Sequence, residues 1–402
     1  MKHLLLIGDG MADLPIESLG GVTPLEAART PAMDALCAGG RVGRCKTVPD
    51  GLPVGSDTAI LSIFGCSPTD VYTGRAPLEA AGMGLSVAPG ETAFRANLIA
   101  IRGDTFRDGA IASHAAGGME DALARQLMAA LDAEPSFAAL MRKHGMRLGL
   151  GDGFRNIALF ADAFPNPFCT TPPHDILDRP LCGYLPDEPT LRAIMEAAYA
   201  FLNAHPINAK RREQGLLPGN GIWFWGEGTA AGLPGFFERY GKRGSVVTAV
   251  PLVKGIARLC GLEAPHLPGA NGGLDTDFDG KVATALATLA REDFAAVHYE
   301  APDECGHAGN LEEKIEAIEL FDARIVAPML EGLAKCGEAY RVLLMPDHPT
   351  PISTRTHLGQ FVPYVMAGEG IAPAGIPRLL ERHVEALEPV DPGTRLMDEL
   401  ME

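Results

Sequence analysis

Three short blocks of this sequence place carboxylates and imidazoles where an apolar run stops. They are Gly8-Asp9-Gly10 after Leu4–Ile7, Asp303-Glu304-Cys305-Gly306-His307 after Ala295–Tyr299, and Asp347-His348 between two prolines after Arg341–Met345. His357 follows the third block. In the second block a carboxylate and an imidazole four residues apart share one side of the chain if it turns helically. Together Asp9, Asp303, His307, Asp347, His348 and His357 offer three carboxylates and three imidazoles, enough for two divalent cations with about three protein ligands each. That donor mixture suits Mn²⁺ or Zn²⁺ better than Ca²⁺. Each block alone also reads as turn or capping chemistry; it is their recurrence at strand ends that points to metal. Two cations a few ångströms apart clamp the attacking and leaving oxygens of a phosphoryl displacement, and they lower the pKa of a hydroxyl held between them. The hydroxyl in question is Ser56, in Pro53-Val54-Gly55-Ser56-Asp57-Thr58-Ala59, a turn before an apolar helix at Ala59–Phe64. At a helix N-terminus Ser56 reads either as a cap or, beside such ligands, as a nucleophile whose phosphate meets free backbone N–H groups.

Those blocks need a frame that brings strand ends together. Leu4–Ile7, Val42–Val48, Ser245–Val250, Ala295–Tyr299, Arg341–Met345 and Phe361–Met366 read as strands, with helices such as Leu252–Cys260 and Leu311–Leu333 between them. Their alternation predicts a mostly parallel sheet with helices on both faces, an α/β fold whose ligands gather at the carboxyl ends of the strands. Thr30-Pro31 reads as the capped start of a helix over Ala32–Ala38. The middle of the chain differs: strands at Ala93–Ile101 and Arg147–Phe160, helices at Met119–Leu131 and Pro189–Leu202, and a proline-rich loop at Pro165–Pro173. We read residues 76–219 as an inserted α+β cap domain and residues 1–75 with 220–402 as the metal-binding core. Trp223, Phe224 and Trp225 read as core residues.

With 402 residues, 47% of them hydrophobic, the chain can bury a substantial core. Its formal charge of −17 disfavours a nucleic-acid backbone or an anionic membrane surface as partner, so the expected partner is a small phosphorylated substrate in a locally basic pocket. Oligomeric state is left open. Eight scattered cysteines without a Cys-x-x-Cys pair read as reduced, mostly buried thiols. No apolar run approaches the roughly 20 residues of a membrane span, and the expected location is the cytoplasm.

The order Asp9, Ser56, Asp303/His307, Asp347-His348, His357 is that of the alkaline-phosphatase superfamily. More narrowly, the chain resembles the archaeal-type, cofactor-independent phosphoglycerate mutases through Gly20–Ala28, Gly55–Ala59, Tyr72–Ala80, Phe94–Leu98, Pro302–His307 and Pro346–Pro351. The resemblance implies an alkaline-phosphatase-like core, two divalent metal ions (Mn²⁺ first, with Zn²⁺, Co²⁺ or Mg²⁺ as alternatives) and interconversion of 2- and 3-phosphoglycerate through a phosphoserine at Ser56. It places Asp9, Ser56, Asp347 and His348 around one metal and Asp303, His307 and His357 around the other. It implies substrate binding by Arg75, Arg155 and Lys254. Where archaeal members carry an arginine-containing segment, this chain has Ser113-His114-Ala115-Ala116-Gly117-Gly118. Gly8–Asp13, Thr171–Ile176 and Ile222–Gly228 look more like a bacterial branch proposed to act as homoserine kinases. A homoserine kinase-type phosphotransferase with the same serine and metals is therefore the alternative, although no P-loop is present to hold a nucleotide. A plain phosphatase, in which water intercepts the phosphoserine, is a third reading.

Overall fold

A computed structural model describes residues 1–103, 105–161, 164 and 170–402. Cys169 and residues 165–169 of the expected proline-rich loop lie outside the described residues. In chain order the strands are β1 (Lys2–Gly8), β2 (Gly40–Cys45), β3 (Thr92–Arg102), β4 (Ala110–Ser113), β5 (Met146–Gly149), β6 (Arg155–Phe160), β7 (Gly221–Thr229), β8 (Gly244–Val247), β9 (Phe294–Tyr299), β10 (Tyr340–Met345) and β11 (Val362–Gly368). The chain forms two compact units, Met1–Tyr72 with Gly232–Glu402, and Thr73–Ala231.

The first unit is built on a six-stranded sheet in the order β2-β11-β10-β1-β9-β8. β10, β1, β9 and β8 are parallel neighbours, whereas β11 runs antiparallel to both β10 and β2. Leu4, Leu5, Leu6 and Ile7 are all fully buried, so both faces of β1 are covered, as a continuous apolar run requires. Leu4 and Leu6 pack with residues of helices Pro31–Gly39 and Phe278–Arg291 and of the long helical stretch after Leu311. His3 alternates with them and therefore faces the other side, where its Nδ1 meets the Leu400 carbonyl of the C-terminal helix at 2.7 Å.

Two local expectations need correction. The helix read over Leu311–Leu333 is continuous to Cys336 but passes through a π-helical turn at Asp322–Val326, just before Pro328. A proline cannot donate to the carbonyl one turn back and clashes with it; a widened turn at that point accommodates the defect. The same turn displaces the cap expected at Thr30. Asp322, buried at 1% exposure, accepts from the amides of Ala32 (3.1 Å) and Met33 (2.7 Å), while the Thr30 hydroxyl donates to Asp34. The helix at Pro31 is thus capped from a segment distant in sequence.

The second unit is a five-stranded antiparallel sheet in which β4-β3-β6-β5 are successive neighbours and β7 pairs with β3. The run read as strand over Arg147–Phe160 is a hairpin, β5 and β6, turning through Asp152 and Gly153, whose φ of 59° suits glycine. Helices Asp121–Ala133 and Pro189–Ala204 supply Leu127, Leu131, Ile194 and Ala198 to the core, where they join Phe94, Phe160, Trp223 and Phe224. Because β7 pairs with β3, this unit extends past residue 219 to Ala231 and takes in the tryptophan-rich run. Among the described residues the cysteines are free, and Cys182 and Cys336 are exposed. No helix among them is long and apolar enough to cross a membrane.

Candidate metal centre and active site

The register of the first sheet brings the chemistry-bearing ends level. Ile7 lies opposite both Met345 and His298, and Gly8 opposite Tyr299, so Asp9, Asp347 and the segment entering helix Ala301–Ala308 leave the sheet along one carboxyl edge. On that helix Asp303 and His307 stand one turn apart, with Asp303 Oδ2 at 3.2 Å from His307 Nε2. Gly10 has φ +60°, and a Cβ there would lie 2.6 Å from Asp303 Oδ1 and 2.7 Å from its Cα; only a residue without a side chain lets the two loops approach this closely. Ser56 is the first residue of helix Ser56–Ile63. That turn is fixed by the Thr58 hydroxyl, which donates to the Pro53 carbonyl, and by Tyr72, whose hydroxyl donates to Asp57 at 2.6 Å.

The converging donor atoms fall into two groups, Asp9-Asp347-His348 and Asp303-His307-His357, each within 4.8 Å internally. In the first, Asp347 Oδ1 accepts from the amides of Gly10 and His348. Its Oδ2 and the Oδ1 of Asp9 are buried without a hydrogen-bond donor. His348 Nε2 lies 3.2 Å from Asp347 Oδ2, 3.7 Å from Asp9 Oδ1 and 3.1 Å from Ser56 Oγ. On the far side of the ring, Nδ1 is 3.2 Å from the Thr350 hydroxyl, which itself donates to Asp303 Oδ1 at 2.5 Å. A hydroxyl has one proton, so Thr350 accepts from Nδ1–H and the lone pair of His348 sits on Nε2, facing the carboxylates.

The second group repeats the pattern. His307 Nδ1 lies 3.0 Å from the Arg355 carbonyl and His357 Nδ1 lies 3.3 Å from that of Val54, leaving both Nε2 atoms turned inward, 2.9 Å apart and close to Asp303. Imidazole nitrogens crowded against one another and against carboxylates, with buried carboxylate oxygens lacking donors, are what a cation would satisfy. The electrostatics agree. Burial, reinforced by the charges of Asp347 and Asp303, raises the Asp9 carboxyl well above its ordinary range. Burial pushes Asp303 the same way, but hydrogen bonds from His307 and His357 outweigh it and hold the carboxyl well below. Burial would pull His307 down, yet Asp303 carries it up to about 9. The residues present therefore fit two divalent cations, one per group.

Over residues 37–208 the chain matches a family model for 2,3-bisphosphoglycerate-independent phosphoglycerate mutase. A curated protein of that name from Methanothrix thermoacetophila is 45% identical over 92% of each chain. The chain belongs to the 2,3-bisphosphoglycerate-independent phosphoglycerate mutase family. A probable member from Geobacter sulfurreducens is 40% identical over the full length of both chains. Among solved structures, a protein from Pyrococcus horikoshii superposes with a TM-score of 0.79 at 29% identity, covering 100% of this chain and 98% of that one. The cofactor-independent phosphoglycerate mutase from Thermoplasma acidophilum gives 0.62 at 26% identity, with 100% and 99% coverage.

The three expected substrate-binding cations of this family member are distributed over both units. Lys254 is half-buried in the first turn of helix Pro251–Leu259, in the first unit. Arg75 and Arg155 belong to the second unit, where a residue that sequence reasoning passed over, Arg95, joins them. Arg75 Nε and Arg95 Nε each lie 2.8 Å from an oxygen of Glu79, which is 5% exposed, and the charge of Arg155 also acts on that carboxyl. The Arg95 guanidinium lies over the Trp225 ring at 4.1 Å and that of Arg155 over Phe154 at 4.5 Å. His114 adjoins Phe154 and His174, and His174 adjoins Trp225. The signal for Arg95 was available: a charge in the middle of an otherwise apolar strand requires a buried partner. His298 was also passed over; it is fully buried, with Nε2 3.0 Å from Asp9 Oδ2.

Proposed function

We propose that this chain interconverts 2- and 3-phosphoglycerate with Ser56 as the nucleophile and Mn²⁺ as the metal in both groups. The observation that carries the reading is the placement of the Ser56 hydroxyl, 3.1 Å from a ligand-competent imidazole nitrogen and beside two donor-less buried carboxylate oxygens, in a chain of this family. Asp9, Asp347, His348 and Ser56 would hold one cation and Asp303, His307 and His357 the other. Bound there, the cations would supply charge to the phosphoryl oxygens and favour the Ser56 alkoxide. Ser56 Oγ forms a bond to phosphorus as the bond from phosphorus to the glycerate oxygen breaks, and the serine proton passes to that oxygen overall. The second half reverses this with the other glycerate hydroxyl, so no bisphosphoglycerate or external donor is consumed. The N-terminus of helix Ser56–Ile63 favours the dianionic phosphoserine between the two halves.

Similarity to mutases over nearly the whole chain, and a sequence without a P-loop to hold a nucleotide donor, support a phosphoglycerate rather than ATP with homoserine. In the second unit Arg75 and Arg95 each hold one oxygen of Glu79, and the charge of Arg155 also acts on that carboxyl.

The test is an assay in Mn²⁺ on 3-phosphoglycerate and, in parallel, on ATP with homoserine, using wild type and Ser56→Ala. We expect interconversion by wild type alone, with the variant down by at least about 10⁴-fold. Homoserine phosphorylation without interconversion would overturn the substrate and keep the nucleophile. Free phosphate released at the turnover rate would instead indicate a phosphatase.

A further inference from the structure

Among the described residues, the side chain of Thr350 bonds to a member of each metal-ligand group. Its hydroxyl donates to Asp303 Oδ1 at 2.5 Å and accepts from His348 Nδ1 at 3.2 Å. It is fully buried, and the backbone around it is clamped from three directions. Its amide donates to the Ala12 carbonyl, in the loop that follows Asp9, and its own carbonyl accepts from Lys314 Nζ at 2.7 Å. Lys314 is itself fully buried and paired with Asp13 at 2.8 Å. The third clamp is Gly306, on the helix that carries Asp303 and His307: a Cβ there would lie 2.4 Å from the Thr350 carbonyl oxygen. Thr350 therefore has one position and one hydrogen-bonding arrangement open to it. Asp303 can only accept while ionised, so the threonine proton goes to Asp303, and the remaining lone pair must take a proton from His348 Nδ1.

We propose that Thr350 is a positioning residue that couples the two metal groups. It fixes the His348 tautomer with Nε2 as ligand atom and holds Asp303 Oδ1 in place. This rests on the metal reading above. Partners of this kind, one shell out from a metal, typically govern affinity by 10- to 100-fold. Sharing one hydroxyl between two ligand sets makes both groups depend on a single side chain. Valine has nearly the shape of threonine but can neither donate nor accept. Without the hydroxyl, His348 is free to place its proton on Nε2, and Asp303 loses its only hydroxyl donor in the group.

The experiment titrates Mn²⁺ into metal-free full-length protein by calorimetry, for wild type, Thr350→Val and Thr350→Ser, with the melting temperature of each metal-free protein as a fold control. Wild type is expected to bind two Mn²⁺ per chain. Thr350→Val is expected to weaken both by about 10- to 100-fold, and Thr350→Ser to recover to within about threefold, because serine keeps the hydroxyl. In turnover, kcat of Thr350→Val at limiting Mn²⁺ should fall with KM for phosphoglycerate unchanged. Wild-type affinity in a folded Thr350→Val overturns the coupling while leaving the metal reading intact. Should valine fail to fold, Thr350→Cys takes its place, and affinity equal to Thr350→Ser overturns the proposal. A wild-type chain that binds no Mn²⁺ overturns the metal reading and this inference together.

Discussion

A single methyl group at position 10 is the smallest perturbation that should disable the site. In Gly10→Ala the new carbon would meet Asp303 within 2.7 Å and sit on a left-handed backbone that alanine disfavours. Displacing a ligand by about 1 Å is expected to lower kcat by at least about 100-fold; steady-state rates at saturating Mn²⁺ check this, and wild-type turnover would show that the loops yield. Glu79 makes a prediction in pH. Burial pushes its carboxyl up, but Arg95 and Arg75 outweigh that and lower it below the usual 4.5. A depressed folded value means stabilisation that is present above pH 4.5 and lost as pH falls through the lower value. Glu79→Ala should lose about 3–5 kcal/mol at pH 7, the cost of stranding one side of a buried pair, with the gap to wild type closing in acid; urea melts at both pH values measure it. These residues differ in how readable they were. Asp9, Asp303, Asp347 and His348 each follow an apolar run, where a charged residue stands out. Thr350 does not, since threonine is common in loops; Arg95 does stand out in its strand, but its partner Glu79, on a preceding helix, shows only in the fold.

At the scale of elements, the parallel strands were legible because both their faces are buried, which leaves runs with no polar interruption. Their boundaries and partners were less so. β11 reads like its neighbours yet runs antiparallel, a distinction that apolar content does not encode. The hairpin within Arg147–Phe160 is legible from Gly151-Asp152-Gly153, which marks its tip, whereas the run as a whole does not show where β5 stops and β6 begins. The cap on helix Pro31–Gly39 was assigned to the local threonine, since a side chain from a π-turn nearly 300 residues later has no local signature. Removing that cap tests its weight. Asp322→Ala leaves two amides without acceptors, and a loss of about 1–3 kcal/mol is expected. Thr30→Ala removes a buried hydroxyl that bonds Asp34 and no helix amide, and should cost less, about 0.5–1 kcal/mol. Guanidinium melts of the two variants compare them, and equal losses would return the cap to Thr30.

For the whole molecule, the first unit is assembled from two distant stretches of chain, whereas the second is one contiguous stretch, Thr73–Ala231. The second unit has its own core around Phe94, Phe160, Trp223 and Phe224. A fragment of residues 73–231 is therefore expected to melt cooperatively when expressed alone, as circular dichroism would show; a fragment without a transition would refute that independence. The boundary near residue 219 was not legible because glycine and proline at 218–221 resemble a linker, while the pairing of β7 with β3 is non-local.

The strand order of the first sheet has a consequence for how the protein is made. β1 is synthesised long before both of its neighbours, β9 and β10, which follow it by nearly 300 residues or more. While the ribosome works through the intervening residues, β1 has two unpaired edges and no sheet to join, whereas the contiguous unit behind it can already close. The ligand atoms are spread in the same way, from Asp9 near the start to His357 near the end. A nascent chain thus has no complete metal group until His348, and no second one until His357, has emerged, so a copy without that stretch can neither take up its ions nor begin the chemistry they support.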